Sequence, residues 1–364
     1  MSERETAAFL SQGASYGHPG ETVERVETHC SIVFLVGEHA FKLKRPVAFS
    51  ALDYRTLPKR EAACRREVEI NRRTAPDLYL GVQAIRRDGR GALSFEGSGP
   101  VVDWLVVMRR FDRTQLFDRL ADRGLLTTPL MRALAEEIAR SHRSAPATPS
   151  FGGAHGIRAA IEHNRADQQT VAAVLASERI AALHASSLAT LDRVASLLDQ
   201  RRASGLVRLC HGDLRLANIC LYRGHPTLFD AIEFADHLAC IDVLYDLAFL
   251  LTDLEQRGLH EHARTVLERY MEVTEDRAGL PALPVLMSVR AGTRAYSVAA
   301  SSLRRTVPIE VRVLAKTAQD LMTLALSLIE GRSPRWLSSG AEAPGSAAPP
   351  PPRPEVGEMF RRRD

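Results

Sequence analysis

The sequence predicts an α+β protein of two lobes, a small β-rich N-terminal lobe over residues 1–108 and a larger helical lobe over 109–332. Three observations carry that expectation. Short apolar runs with strand-like alternation crowd the first 108 residues, and helical periodicity dominates after Phe111. Between the later helices, residues 206–230 form a polar loop enclosed by two short apolar runs.

The elements follow in order. Ser31 to Val36 and Ala40 to Arg45 read as two strands joined at Gly37-Glu38, a pair suited to a tight hairpin turn. On the second strand Phe41 and Leu43 share one face and Lys42 and Lys44 the other. Pro46 limits further pairing. Leu57 to Thr74 is a charged helical pattern carrying Glu61, Glu67 and Glu69, and further strands are expected at Leu80 to Arg86 and Trp104 to Met108. Helices are expected at Leu130 to Arg143, twice within Ile157 to Gln200, and at Val243 to Leu254, Leu259 to Thr274, Val285 to Ala300 and Ile309 to Leu328. Residues 333–364 hold seven prolines and should form a disordered or extended tail, so that a chain ended after Gly331 should fold and act.

Composition excludes several classes. A chain of 364 residues with 45% hydrophobic content can bury a large core. A formal charge of +4 is too balanced to imply a nucleic-acid partner. Five cysteines without ligand-pair spacing argue against a disulfide framework and fit a reducing compartment. No apolar stretch approaches the roughly 20 residues needed to span a bilayer, and Met1 to Gln12 does not read as a signal peptide. No membrane partner and a cytoplasmic location are therefore expected.

The chemistry concentrates in His211-Gly212-Asp213-Leu214-Arg215-Leu216-Ala217-Asn218, with Asp230 twelve residues further on. Phosphoryl transfer needs a carboxylate that orients a hydroxyl and accepts its proton, and oxygen ligands that hold magnesium against phosphates. Asp213 suits the first role; the Asn218 carbonyl and the Asp230 carboxylate suit the second. His-Gly-Asp alone is an ordinary turn, with Gly212 free to adopt a left-handed conformation. The Asp-x4-Asn spacing, flanking strands and strand-terminal Asp230 together match the catalytic loop and metal-binding aspartate of kinases.

His211 to Asn218, Leu228 to Phe234 and Asp242 to Ala248 resemble the aminoglycoside phosphotransferase and choline-kinase-like superfamily. The likeness runs from about residue 25 to 330 and is nearest to a bacterial subgroup sometimes fused to a P-loop ATPase domain. It implies a protein-kinase-like fold and ATP or GTP with Mg²⁺, with a small-molecule hydroxyl as acceptor. Asp213 then resembles the base, His211 the brace of its loop, and Asn218 and Asp230 the metal ligands. Asp246 resembles a structural acid that should need several donors. Glu233, Asp236 and Asp242 either line an acceptor site or cap a helix, with capping favoured for Asp242. Lys42 is favoured over Lys44 as the phosphate-contacting lysine, and Glu67, with Glu69 behind it, as the acid that orients it. No Gly-x-Gly-x-x-Gly loop is present; Thr28 to Ser31 stands in its place, where backbone N–H groups and the Ser31 hydroxyl could meet a phosphate. No Walker loop occurs, so any P-loop ATPase partner is expected to be separate.

The leading reading is an O-phosphotransferase acting on a sugar, amino sugar or amino alcohol. A non-catalytic nucleotide-binding regulatory module is the alternative, and a protein kinase is disfavoured because Asp230 is followed by Ala231-Ile232 rather than Phe-Gly. Arg290 and Arg294, four apart on one expected helix, form either an anionic-substrate patch or ion pairs with neighbouring helices.

Overall fold

The computed structural model describes residues 3–49, 51–332, 334 and 336. It divides into two compact units, Met1–Leu116 with Cys220–Ala239, and Phe117–Ile219 with Cys240–Asp364.

The first unit opens with α1 (Glu3–Leu10) and β1 (Glu24–Glu27), followed by β2 (Ser31–Val36) and β3 (His39–Lys44). Val36 pairs with His39, and Gly37 takes φ +50 at the first of the two turn residues between them. The short pair β4 (Ala48–Phe49) and β5 (Leu52–Asp53) leads into α2 (Leu57–Asn71), which carries Pro58 in its first turn, where no backbone N–H is needed. Strands β6 (Tyr79–Arg87), β7 (Leu93–Ser94) and β8 (Val101–Arg109) complete an antiparallel sheet of order β1-β2-β3-β8-β6-β7.

Period-two alternation on β3 sorts this sheet into two faces. Leu43 joins Ile32, Phe34, Ile85 and Leu105 against Ala7 and Leu10 of α1. On the opposite face Val106 meets Cys64 and Val68 of α2, and there Lys42 and Lys44 both reach Glu67 of the same helix. Burying apolar side chains on both faces fixes the strand register, since a slip of one residue would exchange Leu43 for a lysine.

The second unit contains α3 (Phe117–Asp122), α4 (Thr128–Ser144), α5 (Gly153–Gln169), α6 (Ala172–Leu175), α7 (Ser177–Ala203) and β9 (Val207–Leu209). The chain then forms the hairpin of β10 (Ile219–Tyr222) and β11 (His225–Leu228), and a short α8 (Asp236–Ala239). It resumes the second unit with β12 (Cys240–Asp242), α9 (Val243–Gln256), α10 (His260–Thr274), α11 (Leu283–Ser302) and α12 (Pro308–Ile329). Ala291, Ala295 and Ala299 recur every fourth residue along α11, and the cluster they share includes Ala318, Leu321, Met322 and Ala325 of α12. β12 pairs antiparallel with β9, so the chain before the His211 loop is tied to the chain entering α9.

The division differs from an expected boundary at residue 108. The first unit runs to Leu116, and Cys220–Ala239 belongs to it rather than to the helical region. Packing and polar contacts explain both shifts. Cys220 is buried among Cys64, Val68, Tyr79 and Val106, and Leu116 bridges to it. The Thr74 hydroxyl donates to the Leu228 carbonyl at 2.8 Å. The expected tail lies outside the described residues except at 334 and 336. There Trp336 is only 8% exposed, and its Nε1–H donates to Glu255 Oε2 at 2.8 Å. The chain beyond Gly331 is therefore docked at that point.

Candidate active site

In the first unit one helix face organises a dry charge network. Glu67 and Asn71 lie one turn apart on α2 and are both fully buried. Glu67 Oε1 accepts from Lys42 Nζ at 2.8 Å and Oε2 from Lys44 Nζ at 2.6 Å. The two lysines then diverge. Lys42 also reaches Asp230 Oδ1 at 2.6 Å, whereas Lys44 is 1% exposed and turns to Glu233 and the Tyr54 hydroxyl. Tyr54 donates to the same Glu233 carboxylate. Burial alone would raise the Glu67 carboxyl, but the two ammonium groups hold it down at about 2. Burial would likewise lower both lysines, yet their facing carboxylates keep them well above the usual lysine value.

Asp230 is presented by its backbone. Its φ of +62 lies in the left-handed region, which aspartate tolerates better than most residues. The Tyr79 hydroxyl accepts the Asp230 N–H at 3.1 Å, and Asn71 Oδ1 accepts the next N–H, from Ala231, at 2.9 Å. Asp230 keeps 44% of its side chain exposed, so one carboxylate oxygen binds Lys42 while the group stays open to solvent.

Ser31 is placed differently from the expected phosphate contact. It is 3% exposed at the start of β2; its N–H donates to Thr28 Oγ1 at 2.9 Å, and the two hydroxyls share a bond of 2.9 Å. A serine-threonine turn has thus engaged the groups proposed for a nucleotide. Thr28 and His29 are the exposed positions of that turn.

In the second unit the His211 loop is pinned from beneath by Asp246, which is fully buried on α9. Its carboxylate accepts the His211 N–H at 3.0 Å and the Gly212 N–H at 2.8 Å, and lies 3.2 Å from His142 Nε2. Gly212 has φ +82, which lets consecutive N–H groups point at one acceptor. His211 Nδ1 in turn accepts the Asp213 N–H at 3.3 Å. The several donors expected for Asp246 are present. Asp242 caps α9 through the Leu244 N–H at 2.8 Å and is held by Arg201, so its place is structural.

Asp213 itself carries a bidentate ion pair. Arg215 donates Nε to Oδ1 at 2.6 Å and Nη2 to Oδ2 at 2.8 Å. Asn218 Nδ2 donates to Oδ2 at 2.8 Å and to the Asp213 carbonyl at 2.9 Å, in an amide orientation that leaves its oxygen as the acceptor end. Burial favours the neutral acid, but Arg215 holds the carboxyl down at about 2, so it is ionised at neutral pH. His142, Cys210 and Asp246 also bring potential ligand atoms within 4.8 Å of one another. Their polar atoms are already bonded to Tyr270, the Ile241 carbonyl and the loop N–H groups, which reads as a structural network.

Sequence reasoning missed Asn71, Tyr79, Tyr54 and Arg215. Asn71 had a legible signal, the i,i+4 spacing from Glu67, and Arg215 stood two residues from Asp213.

A family model for the phosphotransferase enzyme family matches residues 53–283, and the chain belongs to that family. Uncharacterized proteins of Mycobacterium bovis and Mycobacterium tuberculosis are 32% identical over 289 residues, covering 74% of this chain and 53% of theirs. The chain thus spans about half the length of the curated relatives it matches. Among solved structures, the choline kinase of Cryptosporidium parvum Iowa II is 13% identical with a TM-score of 0.54, covering 90% of this chain and 96% of that one. A thermostable mutant of aminoglycoside phosphotransferase APH(4)-Ia, in ternary complex with AMP-PNP and hygromycin B, is 14% identical with a TM-score of 0.53, covering 88% and 98%. These likenesses establish the protein-kinase-like α+β fold. No helix among the described residues is long and apolar enough to cross a membrane.

Proposed function

We propose that this phosphotransferase moves the γ-phosphoryl group of ATP or GTP, with magnesium, to a hydroxyl of a small molecule. The observation that carries the reading is Lys42, whose ammonium bridges Glu67 and Asp230. Phosphoryl transfer of the kinase type uses a lysine held by a helix glutamate, near an aspartate that binds the metal. In this reading Lys42 contacts the nucleotide phosphates and Lys44 fixes Glu67 from behind. Asp213 orients the acceptor hydroxyl and takes its proton, and His211 and Asp246 hold the loop that carries it. The Asn218 oxygen and the exposed Asp230 carboxylate are hard donors suited to magnesium. Magnesium, when bound, would neutralise charge on the phosphates.

The test is release of nucleoside diphosphate from Mg-ATP and Mg-GTP across hydroxylated acceptors. Asp213→Asn should keep nucleotide affinity and lower turnover by about a hundredfold or more. Undiminished turnover in the variant removes Asp213 as the base. With the Ser31 groups engaged by Thr28, fewer donors remain in this turn to position phosphates for transfer, and the second reading is a nucleotide-binding module without turnover. Tight Mg-nucleotide binding with no diphosphate release from any acceptor would select it.

A further inference from the structure

The second unit carries a set of arginines that the roles above do not use. Arg290 and Arg294 lie one turn apart on α11, and Tyr245 and Phe249 one turn apart on α9. The Arg290 guanidinium stacks over Tyr245 at 3.8 Å and Phe249 at 4.7 Å, and its Nε donates to the Tyr245 carbonyl at 3.0 Å. Arg290 is 5% exposed, yet its Nη2 has no hydrogen-bond partner among the described residues. A buried guanidinium N–H left unbonded is costly, and natural proteins rarely leave one without an anion or water to meet it.

Arg215 shares the same ring, lying 5.7 Å over Phe249 from the catalytic loop. Arg294 completes the group and makes neither a hydrogen bond nor an ion pair among the described residues. The carboxylates whose charge reaches it, Asp253 and Asp213, are already held by Arg257 and Arg215. The nearby Arg215 and burial press the Arg294 guanidinium down to about 10, the mark of a cation in surroundings that are already positive.

We propose that Arg294 and Arg290, with Arg215, form an anion subsite beside Asp213, so that the acceptor is a hydroxyl compound bearing a carboxylate or phosphate group. Planar guanidinium groups suit either anion through paired N–H donors. An anion seated there would compete with Asp213 for Arg215. A polycationic or quaternary-ammonium acceptor would meet repulsion at the same place.

This inference rests on the phosphotransferase reading, and calorimetry of the full chain separates the two. Gluconate, glucose 6-phosphate, inorganic phosphate, glucose, choline and kanamycin are titrated with and without saturating Mg-AMP-PNP. Failure of AMP-PNP to bind sinks the phosphotransferase reading but leaves the anion titrations decisive for the subsite. The anionic compounds should bind at least about tenfold more tightly than glucose, choline or kanamycin, as expected for charge-assisted hydrogen bonds. Arg294→Ala should remove that advantage, and Arg294→Lys should restore part of it. Preference for gluconate over the phosphates identifies a carboxylate acceptor, and the reverse a phosphate ester. Equal anion affinity in wild type and Arg294→Ala, or tighter binding of choline or kanamycin, overturns the proposal. If Arg294→Ala fails to fold, the wild-type ranking and the lysine variant still decide it.

Discussion

Two charged clusters, one in each unit, solve the problem of burying ions in opposite ways. In the first, Lys42 and Lys44 face Glu67, Asp230 and Glu233, and every ammonium meets at least two carboxylates. In the second, Asp213 is gripped by Arg215 while Arg290 and Arg294 have no carboxylate bonded to them among the described residues. A cluster that compensates itself rigidifies a scaffold. One that leaves cations unmatched is shaped for a charge arriving from outside. The same contrast appears within the first cluster, because Lys44 is enclosed by protein while Lys42 ends on the exposed Asp230.

The largest expected effect breaks that inner contrast. Lys44→Ala strands Glu67 and Glu233 without their ammonium in a dry setting, and should cost about 3–5 kcal/mol of stability. Lys42→Ala should cost less stability but raise the KM for ATP and lower kcat, since both phosphate binding and transition-state charge are affected. Urea unfolding beside ATP-dependent kinetics reads both variants. A Lys44→Ala protein of wild-type stability with lost ATP kinetics would exchange the two roles.

Much of this was legible from pattern alone. Alternation put Lys42 and Lys44 on one strand face, and spacing singled out Asp213 and Asn218, whose side chains are hydrogen-bonded to each other. The sequence could not say which lysine is enclosed. That depends on Tyr54 and Glu233, ten residues and nearly two hundred residues away, converging on Lys44. Nor could it show that Cys220–Ala239 belongs to the N-terminal unit, because the contacts that tie it there, among them Cys220 with Cys64, Leu228 with Thr74, Ala231 with Asn71 and Glu233 with Lys44, join residues far apart in sequence and leave no periodic trace. The missed α1 is eight residues long and buries only a narrow stripe, Thr6, Ala7 and Leu10, too short for a convincing helical period.

Trp336 sharpens the view of the second unit. Its ring is nearly enclosed and its N–H is bonded to Glu255, which also meets His260 Nδ1 at 2.8 Å. Trp336→Ala should cost roughly 2 kcal/mol, below the cost of an aromatic removed from a deep core because the polar contact is only partly buried. A chain ended after Gly331 should show the same loss of stability while still folding and acting. Coincident thermal unfolding of the full and shortened chains would show that Trp336 docks without consequence.

The smallest effect tests what holds Asp213 in the second cluster. Its carboxyl sits at about 2 in the folded protein, below the ordinary 3.8, because Arg215 outweighs burial. A depressed acid contributes stability that is present above its unfolded value and lost as pH falls through the folded one. Asp213 should therefore support the fold above about pH 4 and progressively less toward pH 2. Arg215→Met removes the guanidinium but keeps much of the side-chain volume over Phe249, so burial then acts on the carboxyl with Arg215 gone. The variant should be about 1 kcal/mol less stable at pH 6, at the low end for a charge-assisted pair because Asp213 keeps 28% of its side chain exposed. The gap should narrow as pH falls toward 3, since without Arg215 burial raises the Asp213 carboxyl and the variant takes up a proton that the wild type refuses until nearer pH 2. Glu67 titrates in the same acid range in both proteins and cancels from the comparison. Urea midpoints for the two proteins from pH 6 to pH 3 give the gap directly. A gap that stays constant over that range would mean that Arg215 acts on stability through its packing against Phe249, and that another group holds the Asp213 carboxylate ionised.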